Sequence, residues 1–361
     1  MRVISTALNT AQQSNKRKPY NELIFNSSDG VSYDYSDRNK GIVHTENVNN
    51  DKSITTYATI QLWNKDRAIA DLTGYWIEVT YGDKFITNGV VTGMEGELTA
   101  RMWVKAQNTV SFPGTLDTVL RLEGMGEYLN ERPCLMDTTA PWHYNHWVDT
   151  GAYGILYFAL ENEGFILEYP LPPDQDDGII DTWKPDFKIN ETLLIPTVEG
   201  SISAITSHET VGGVIKRLMS TNYCYLRPKP GLRFDIRYPQ EDEPVDETYY
   251  SYQPYWFYKF NYRKSPVIPN KFFVYCDMDF ETGLFNVPLL IGFAEDEEES
   301  AKYEVTSINW ALDIRNQIDA DNRANLYLSN AKLRSEGGEL LTPHDIRPEL
   351  FDKVEVKDAR V

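Results

Sequence analysis

Cysteine and histidine are scarce in this chain, with three and five copies in 361 residues. Cys134, Cys224 and Cys276 are far apart, odd in number and without a Cys-x-x-Cys pairing. That pattern argues against a disulfide framework and a thiolate zinc site, and reads as three buried thiols. Positive charge is also short: 35 Lys and Arg stand against 54 Asp and Glu, a net charge of −19. An isolated subunit of that charge repels phosphate, which disfavours tight nonspecific nucleic-acid binding. No apolar run reaches the roughly 18 residues of a membrane span. The start, Met1-Arg2-Val3-Ile4-Ser5-Thr6, lacks the apolar core of a secretory signal, so a soluble protein with no membrane span is expected. Gly-x-Ser-x-Gly, the Gly-x-x-x-x-Gly-Lys-Ser/Thr phosphate loop, Gly-x-Gly-x-x-Gly and His-Glu-x-x-His are all missing. Gly124-Met125-Gly126 stands without a third glycine, and Gly200-Ser201-Ile202-Ser203 without a closing one. Nucleotide chemistry and serine-dependent acyl transfer lose their usual scaffolds.

What is present is ordinary for a folded chain: 41% hydrophobic, 25% charged and 13% aromatic residues. The length allows two or three domains. Ile4, Leu8 and Ala11 space a short amphipathic helix that ends in Lys16-Arg17-Lys18 before Pro19. From Asn21 to Glu123 the sequence predicts short strands: Leu23 to Phe25, Thr55 to Trp63, Tyr75 to Tyr81, Phe85 to Gly93, Arg101 to Ala106 and Thr118 to Leu122. Turns are expected at Ser28-Asp29-Gly30, Tyr81-Gly82-Asp83 and Glu95-Gly96-Glu97. Together, 1–125 reads as an N-terminal helix and one antiparallel, barrel-like domain. Residues 126–205 read as an inserted aromatic and Pro-rich lobe.

In 206–250, Val211, Val214, Ile215, Leu218 and Met219 form a helical stripe, with Thr206 and Glu209 spaced as a capping box. Gly212 and Gly213 imply close backbone contact there. In 251–361, the run Trp256-Phe257-Tyr258-Lys259-Phe260-Asn261-Tyr262-Arg263 alternates rings with polar residues, as a strand with its ring face buried would. A second strand, Lys271 to Cys276, follows. Ala320, Ala324, Tyr327, Leu328 and Ala331 make a helix that Asp319 can cap and Gly337-Gly338 can stop, before short strands at Glu339 to Thr342 and Lys353 to Val356.

Few residues suggest chemistry. His143 and His146 could face one metal ion if their segment were helical, with Asp137 or Asp149 as a third ligand, but the flanking Trp142 and Trp147 suit a packed aromatic loop better. Asp174-Gln175-Asp176-Asp177-Gly178 has its glycine one place early for a calcium loop, and Pro185 where the bidentate Glu belongs. The run Glu295 to Glu299 reads as an exposed acidic segment. Asp277 and Asp279 would share a strand face as a carboxylate pair for glycoside hydrolysis, although a polar turn is the plainer reading. No catalytic residue, metal or cofactor is assigned.

Four stretches nevertheless resemble phage tail hub proteins. They are Ala58 to Asn64 with Asp71-Leu72-Thr73-Gly74 and Ile77-Glu78-Val79; Thr210 to Met219; Val267-Ile268-Pro269-Asn270; and the closing block Asp319 to Ala324, Gly338-Glu339-Leu340 and Glu349 to Val356. The resemblance covers about two thirds of the chain and stops at 126–205. It implies a β-rich α+β protein with two tube-like antiparallel β-barrel domains, an inserted lobe and short helices. It further implies a homotrimer at the tail tip that adapts a sixfold tube to a threefold tip and lines the DNA channel. Its partners would be a tail tube or distal tail ring protein, a tape-measure protein and a tip fibre or receptor-binding protein, with DNA only in transit. The protein would reside in the virion, and in the host cytoplasm during assembly. No lytic module is expected. Two other readings stand beside it: a carbohydrate-binding or glycan-hydrolysing tail protein using region 142–183, with Trp147 and Trp183 stacking sugars, and a tube terminator or distal ring component.

Overall fold

Alternation organises the first part of the chain. In the computed structural model, Ile54, Thr56, Ala58, Ile60 and Leu62 turn inward along one strand while Tyr57 and Trp63 face out, the period-2 pattern of a half-buried strand. The structure describes residues 2–14, 17–49, 52–87, 90–134, 146–147, 152–168, 187–188, 194–196, 202–205, 209–220, 224–237, 239, 243–252, 255–278, 285–311, 314 and 317–360.

Helix α1 (Thr6–Gln13) precedes β1 (Pro19–Glu22), β2 (Ile24–Asn26), β3 (Ser32–Asp34), β4 (Asn39–Val48), β5 (Ile54–Trp63), β6 (Trp76–Ile77), β7 (Thr80–Thr87), β8 (Val90–Leu98), β9 (Met102–Phe112) and β10 (Thr115–Gly124). Seven of these strands form one sheet in the order β3-β2-β6-β9-β10-β5-β4. They wrap a core of Phe25, Ile60, Leu62, Ile77, Met102, Val104, Leu120 and Leu122. Each fully buried Leu or Ile there contributes about 1.5–3 kcal/mol. A second sheet, β1-β7-β8, stands beside it and carries α1, whose Ser5 cap accepts from Leu8 N at 3.1 Å and donates to Glu95 at 2.5 Å.

Next come α2 (Met125–Asn130), β11 (His146–Trp147), α3 (Ala152–Glu161), β12 (Ile166–Glu168), β13 (Phe187–Lys188), β14 (Leu194–Pro196), β15 (Ile202–Ile205), α4 (Val211–Met219), β16 (Tyr225–Lys229) and β17 (Arg233–Arg237). α2, α3, α4 and the sheet β12-β17-β16 share a core that includes Leu129, Leu156, Leu160, Val214, Leu218 and Phe234. The helices approach closely because Gly212 leaves room: a Cβ there would lie 2.8 Å from Asn130 Cγ. Gly126 serves α2 in the same way against the Ile54 carbonyl, so the Gly124-Met125-Gly126 pair is a packing device.

The last part comprises β18 (Glu247–Tyr250), β19 (Lys259–Lys264), β20 (Lys271–Met278), β21 (Phe285–Glu295), α5 (Glu297–Ser300), β22 (Thr306–Trp310), α6 (Gln317–Ser335), β23 (Glu336–Leu341) and β24 (Val354–Lys357). β21-β20-β22 form a sheet whose inner face, Phe272, Val274 and Cys276, packs on Ala320, Ala324, Leu328 and Ala331 of α6. β19 pairs with β23, and β18 runs parallel to β24. Among the described residues no helix is long and apolar enough to cross a membrane.

Several local expectations change. Tyr81-Gly82-Asp83 and Glu95-Gly96-Glu97 are not turns but mid-strand, with Gly82 opposite Gly96. A Cβ on Gly82 would meet Tyr20 Cε1 at 2.6 Å, so the glycines make room for a ring instead of a bend. Phe85 to Gly93 is not one strand: it spans the end of β7 and the start of β8. α4 is capped by Thr210, which accepts from Gly213 N at 3.1 Å, and Glu209 accepts from Arg217 at 2.7 Å; Thr206 lies outside the described residues. Asp319 lies inside the first turn of α6, where its charge suits the helix dipole, and Gly337-Gly338 does not end the helix in a turn but runs directly into β23. The β-rich fold with helices is as expected, with six α-helices among the described residues. No sheet of the described residues closes into a barrel, and the edges β3 and β4 of the seven-stranded sheet do not pair with each other.

Candidate assembly interface

The outer face of β21-β20-β22 is aromatic. Register places Phe273 between Phe293 and Ile308, and Tyr275 between Ile291 and Trp310. The rings meet across strands, with centroids 4.9 Å apart for Phe273 and Phe293 and 5.4 Å for Tyr275 and Trp310. Such pairs rigidify a sheet surface. Yet Trp310 is 64% exposed, Ile308 60% and Phe293 44%. Contiguous apolar surface of this kind marks interaction sites.

The β19-β23 ribbon extends the pattern and corrects the expectation of a buried ring face. Every residue of β19 is exposed, Tyr262 by 54%, and Phe257, just before the strand, is the ring that enters the interior. Gly338 sits opposite Tyr262, where a Cβ would press the Asn261 carbonyl at 2.8 Å. Nothing among the described elements covers the rings because β19 pairs with β23 alone. An isolated two-stranded ribbon is marginal in water. The β7-β8 hairpin likewise exposes Val90, Val91 and Met94.

Buried ion clusters tie residues 345–352 to the middle of the chain. Arg227, 5% exposed, donates to Asp235 at 2.6 and 3.2 Å and to Asp352 at 3.2 Å, and pairs with Glu349 at 3.4 Å. Burial would push the Glu349 carboxyl up, but Lys229 and Arg227 hold it below the usual carboxylate range. Arg347 binds Asp345 at 2.6 Å and also Glu247, and its guanidinium lies 3.4 Å from the Tyr255 ring centroid. Asp345, raised by burial, is brought below its ordinary value by Arg347. These contacts clamp residues 345–352 onto β16, β17 and β18. Such a clamp needs partners distant in the chain, and no local motif announces it.

Of the sequence-derived metal and sugar candidates, only His146 and Trp147 lie among the described residues. His146 and Trp147 form β11, paired with Lys188 and Phe187, so the backbone there is extended. His143 and Trp183 lie outside the described residues, as do Asp137, Asp149, Asp174 to Gly178, Pro185 and Asp279. Among the described residues no group of three His, Cys, Asp or Glu side chains could hold a metal ion. The acidic run at 295–299 is not a bare exposed segment. It forms α5, capped by Asp296, and its charges meet Lys271, Lys302 and Lys332. All three cysteines are free and buried.

No family model matches the chain, and no curated protein does. Solved structures do. A tail protein from Neisseria meningitidis MC58 superposes with a TM-score of 0.59 at 9% identity, over 95% of this chain and 87% of that one. The 43 kDa tail protein of prophage MuSo2 from Shewanella oneidensis gives 0.53 at 12% identity, over 93% and 87%. The fold is that of a tail protein. At such identities the likeness is one of fold alone, and it covers 95% of this chain.

Proposed function

We propose that this chain is a structural subunit of a phage tail, a hub at the tail tip that acts through shape and interface without making or breaking covalent bonds. The observation that carries this reading is a tail-protein fold extending over 95% of the chain. The exposed aromatic face of β21-β20-β22 and its unpaired strand edges support it, because such surfaces need a cover.

In the finer form, three copies assemble around a channel and each supplies two tube-like sheet systems, the β1–β10 region and the β18–β24 region. Each system closes only when joined edge to edge with those of neighbouring copies, giving a pseudo-sixfold ring that seats a sixfold tube on a threefold tip. Three copies, each carrying −19, would hold −57. Acidic groups along the channel would keep passing DNA from adhering. The tube or distal ring protein, the tape-measure protein and a tip fibre or receptor-binding protein are the partners of this reading. Its locations are the virion tail tip and the host cytoplasm during assembly.

Mass photometry and negative-stain imaging test it. The expected particle is a ring of three times 41.6 kDa. Monomers at every concentration, with and without the tail tube protein, overturn it.

A further inference from the structure

A cleft of about 380 Å³ lies where the end of α1, the start of β1, β18, the 255–258 segment and residues 342–345 meet. Its size falls within the range of roughly 300–1,000 Å³ typical of small-molecule sites. Rings dominate its walls: Tyr249, Tyr255, Trp256 and Tyr258. The Trp256 and Tyr258 rings meet edge to face with centroids 4.4 Å apart, and Tyr258 is 56% exposed. Among the described residues no Leu, Ile, Val or Met lines the cleft.

The charges on these walls are already engaged. Arg17 meets Asp83 at 2.8 Å, and Asp345 meets Arg347 at 2.6 Å while accepting from the Tyr249 hydroxyl at 2.8 Å. The Tyr255 hydroxyl donates to Asn9. Gln12 is different. It is 6% exposed and lines the cleft, and neither its Oε1 nor its Nε2 has a hydrogen-bond partner. Buried amides are ordinarily paired, because a desolvated donor or acceptor left unmet costs free energy. An acceptor and a donor side by side, among charges that are paired, call for an uncharged group that gives one hydrogen bond and takes another.

That requirement separates the possible guests. A purely apolar molecule leaves both amide atoms bare. A proline-rich segment, a common guest of aromatic grooves, brings carbonyls without N–H groups and leaves Gln12 Oε1 unmet. A sugar ring satisfies the whole wall: each hydroxyl both donates and accepts, and the C–H face of the ring lies flat against an aromatic side chain.

We propose that this cleft binds a neutral saccharide, with two adjacent hydroxyls on the Gln12 amide and a ring face against Tyr258. The site uses no residue of the 142–183 region and is independent of the tail-hub reading.

Saturation-transfer NMR and tryptophan-fluorescence titration of the full chain test it. The probes are the methyl glycosides of glucose, galactose, mannose and N-acetylglucosamine, with maltose, lactose and N,N′-diacetylchitobiose as two-ring forms. Gln12→Met keeps the length of the side chain and removes both hydrogen-bonding atoms, and Tyr258→Ser removes an exposed ring; circular dichroism verifies that both variants fold. Expected is saturable binding of at least one sugar, weakened about tenfold or more in each variant and insensitive to added NaCl because the wall charges are paired. A single-ring site takes the methyl glycoside and its two-ring form alike, whereas a site for the end of a glycan takes the longer form more tightly. Without sugar, Gln12→Met should unfold at a urea midpoint no lower than wild type, since it removes a buried amide that lacks partners. Absence of saturable sugar binding, binding of capped triproline or trialanine in its place, sugar binding unchanged in either variant, or a lowered Gln12→Met midpoint overturns the proposal.

Discussion

Replacing Arg227 by methionine removes the cation shared by Asp235, Glu349 and Asp352 while keeping an apolar stem of similar length. All four residues are at least nine-tenths buried by side chain. Lys229 and Arg2 also reach Glu349, so that carboxylate keeps partial compensation. Asp235 has only Arg227 as an ion partner among the described pairs, and its Oδ1 already lacks a hydrogen bond. Breaking a buried pair by deleting one partner costs about 3–5 kcal/mol, because the remaining charge stays desolvated. The upper part of that range is expected here, since two carboxylates lose their strongest contact. Urea unfolding followed by tryptophan fluorescence reads the loss. Hydrogen exchange at Val354–Lys357 locates it, since β24 is held in place through Glu349 and Asp352.

The pH dependence gives a second, stricter check. Glu349 titrates below its ordinary value in the folded chain, so its contribution is complete above the usual carboxylate range and disappears as pH falls through the lowered folded value. The gap between wild type and Arg227→Met is therefore widest at neutral pH and narrows as pH falls through the lowered Glu349 value. A gap under about 1 kcal/mol at pH 7 would refute the assignment of Arg227 as the clamp. So would a gap that does not narrow anywhere on acidification.

Further outcomes are expected elsewhere. Gly292→Ala places a Cβ against the Ala320 carbonyl where α6 meets β21, and should cost about 1–3 kcal/mol in urea unfolding; a neutral result would mean that the helix moves freely on the sheet. The double change Trp310→Ser with Phe293→Ser alters exposed rings only, so circular dichroism and the unfolding midpoint should hold while the assembled mass collapses to monomer; assembly intact would remove this face from the interface. His44 is driven to about 4 by burial and by Arg2 and His344, so its ring proton in NMR should titrate below pH 5, and the associated stability is present above pH 6.5 and lost as pH falls toward 4. Native protein at pH 8 should leave all three thiols unlabelled by Ellman's reagent, since they are buried and Cys134 is pushed up to about 11; denatured protein should yield three.

How legible each element was depended on whether its partner was local. α4 shows a clean helical stripe because it presents one face to a core, and β5 alternates for the same reason; α6 shows its alanine stripe although Leu326 is buried on another side. α3 escaped because Ala152 to Glu161 is apolar on nearly every side, a composition in which helix and buried strand look alike. Gly82 and Gly96 imitate turn residues, yet they face each other across β7 and β8, with Tyr20 against Gly82, an encounter that only the register reveals. β20 was readable as a strand, but its partner β22 was not expected, nor was what lies on each face.

The same limit explains the aromatic run at 256–263. Period two says that its rings share a side, and is silent on whether that side faces this chain or another. The interior under β21-β20-β22 argues for the second. Ala320, Ala324 and Ala331 are small, so α6 lies close to the sheet and fills its inner face with Phe272, Val274 and Leu328. No gap is left there that the outer rings could occupy by a slip of register, and a one-residue slip would place Phe273 and Tyr275 against the alanine stripe. The ladder Phe273, Phe293, Tyr275 and Trp310 is thus not a core displaced to the surface. It is a finished second face, which the proposed trimer would cover with a neighbouring copy.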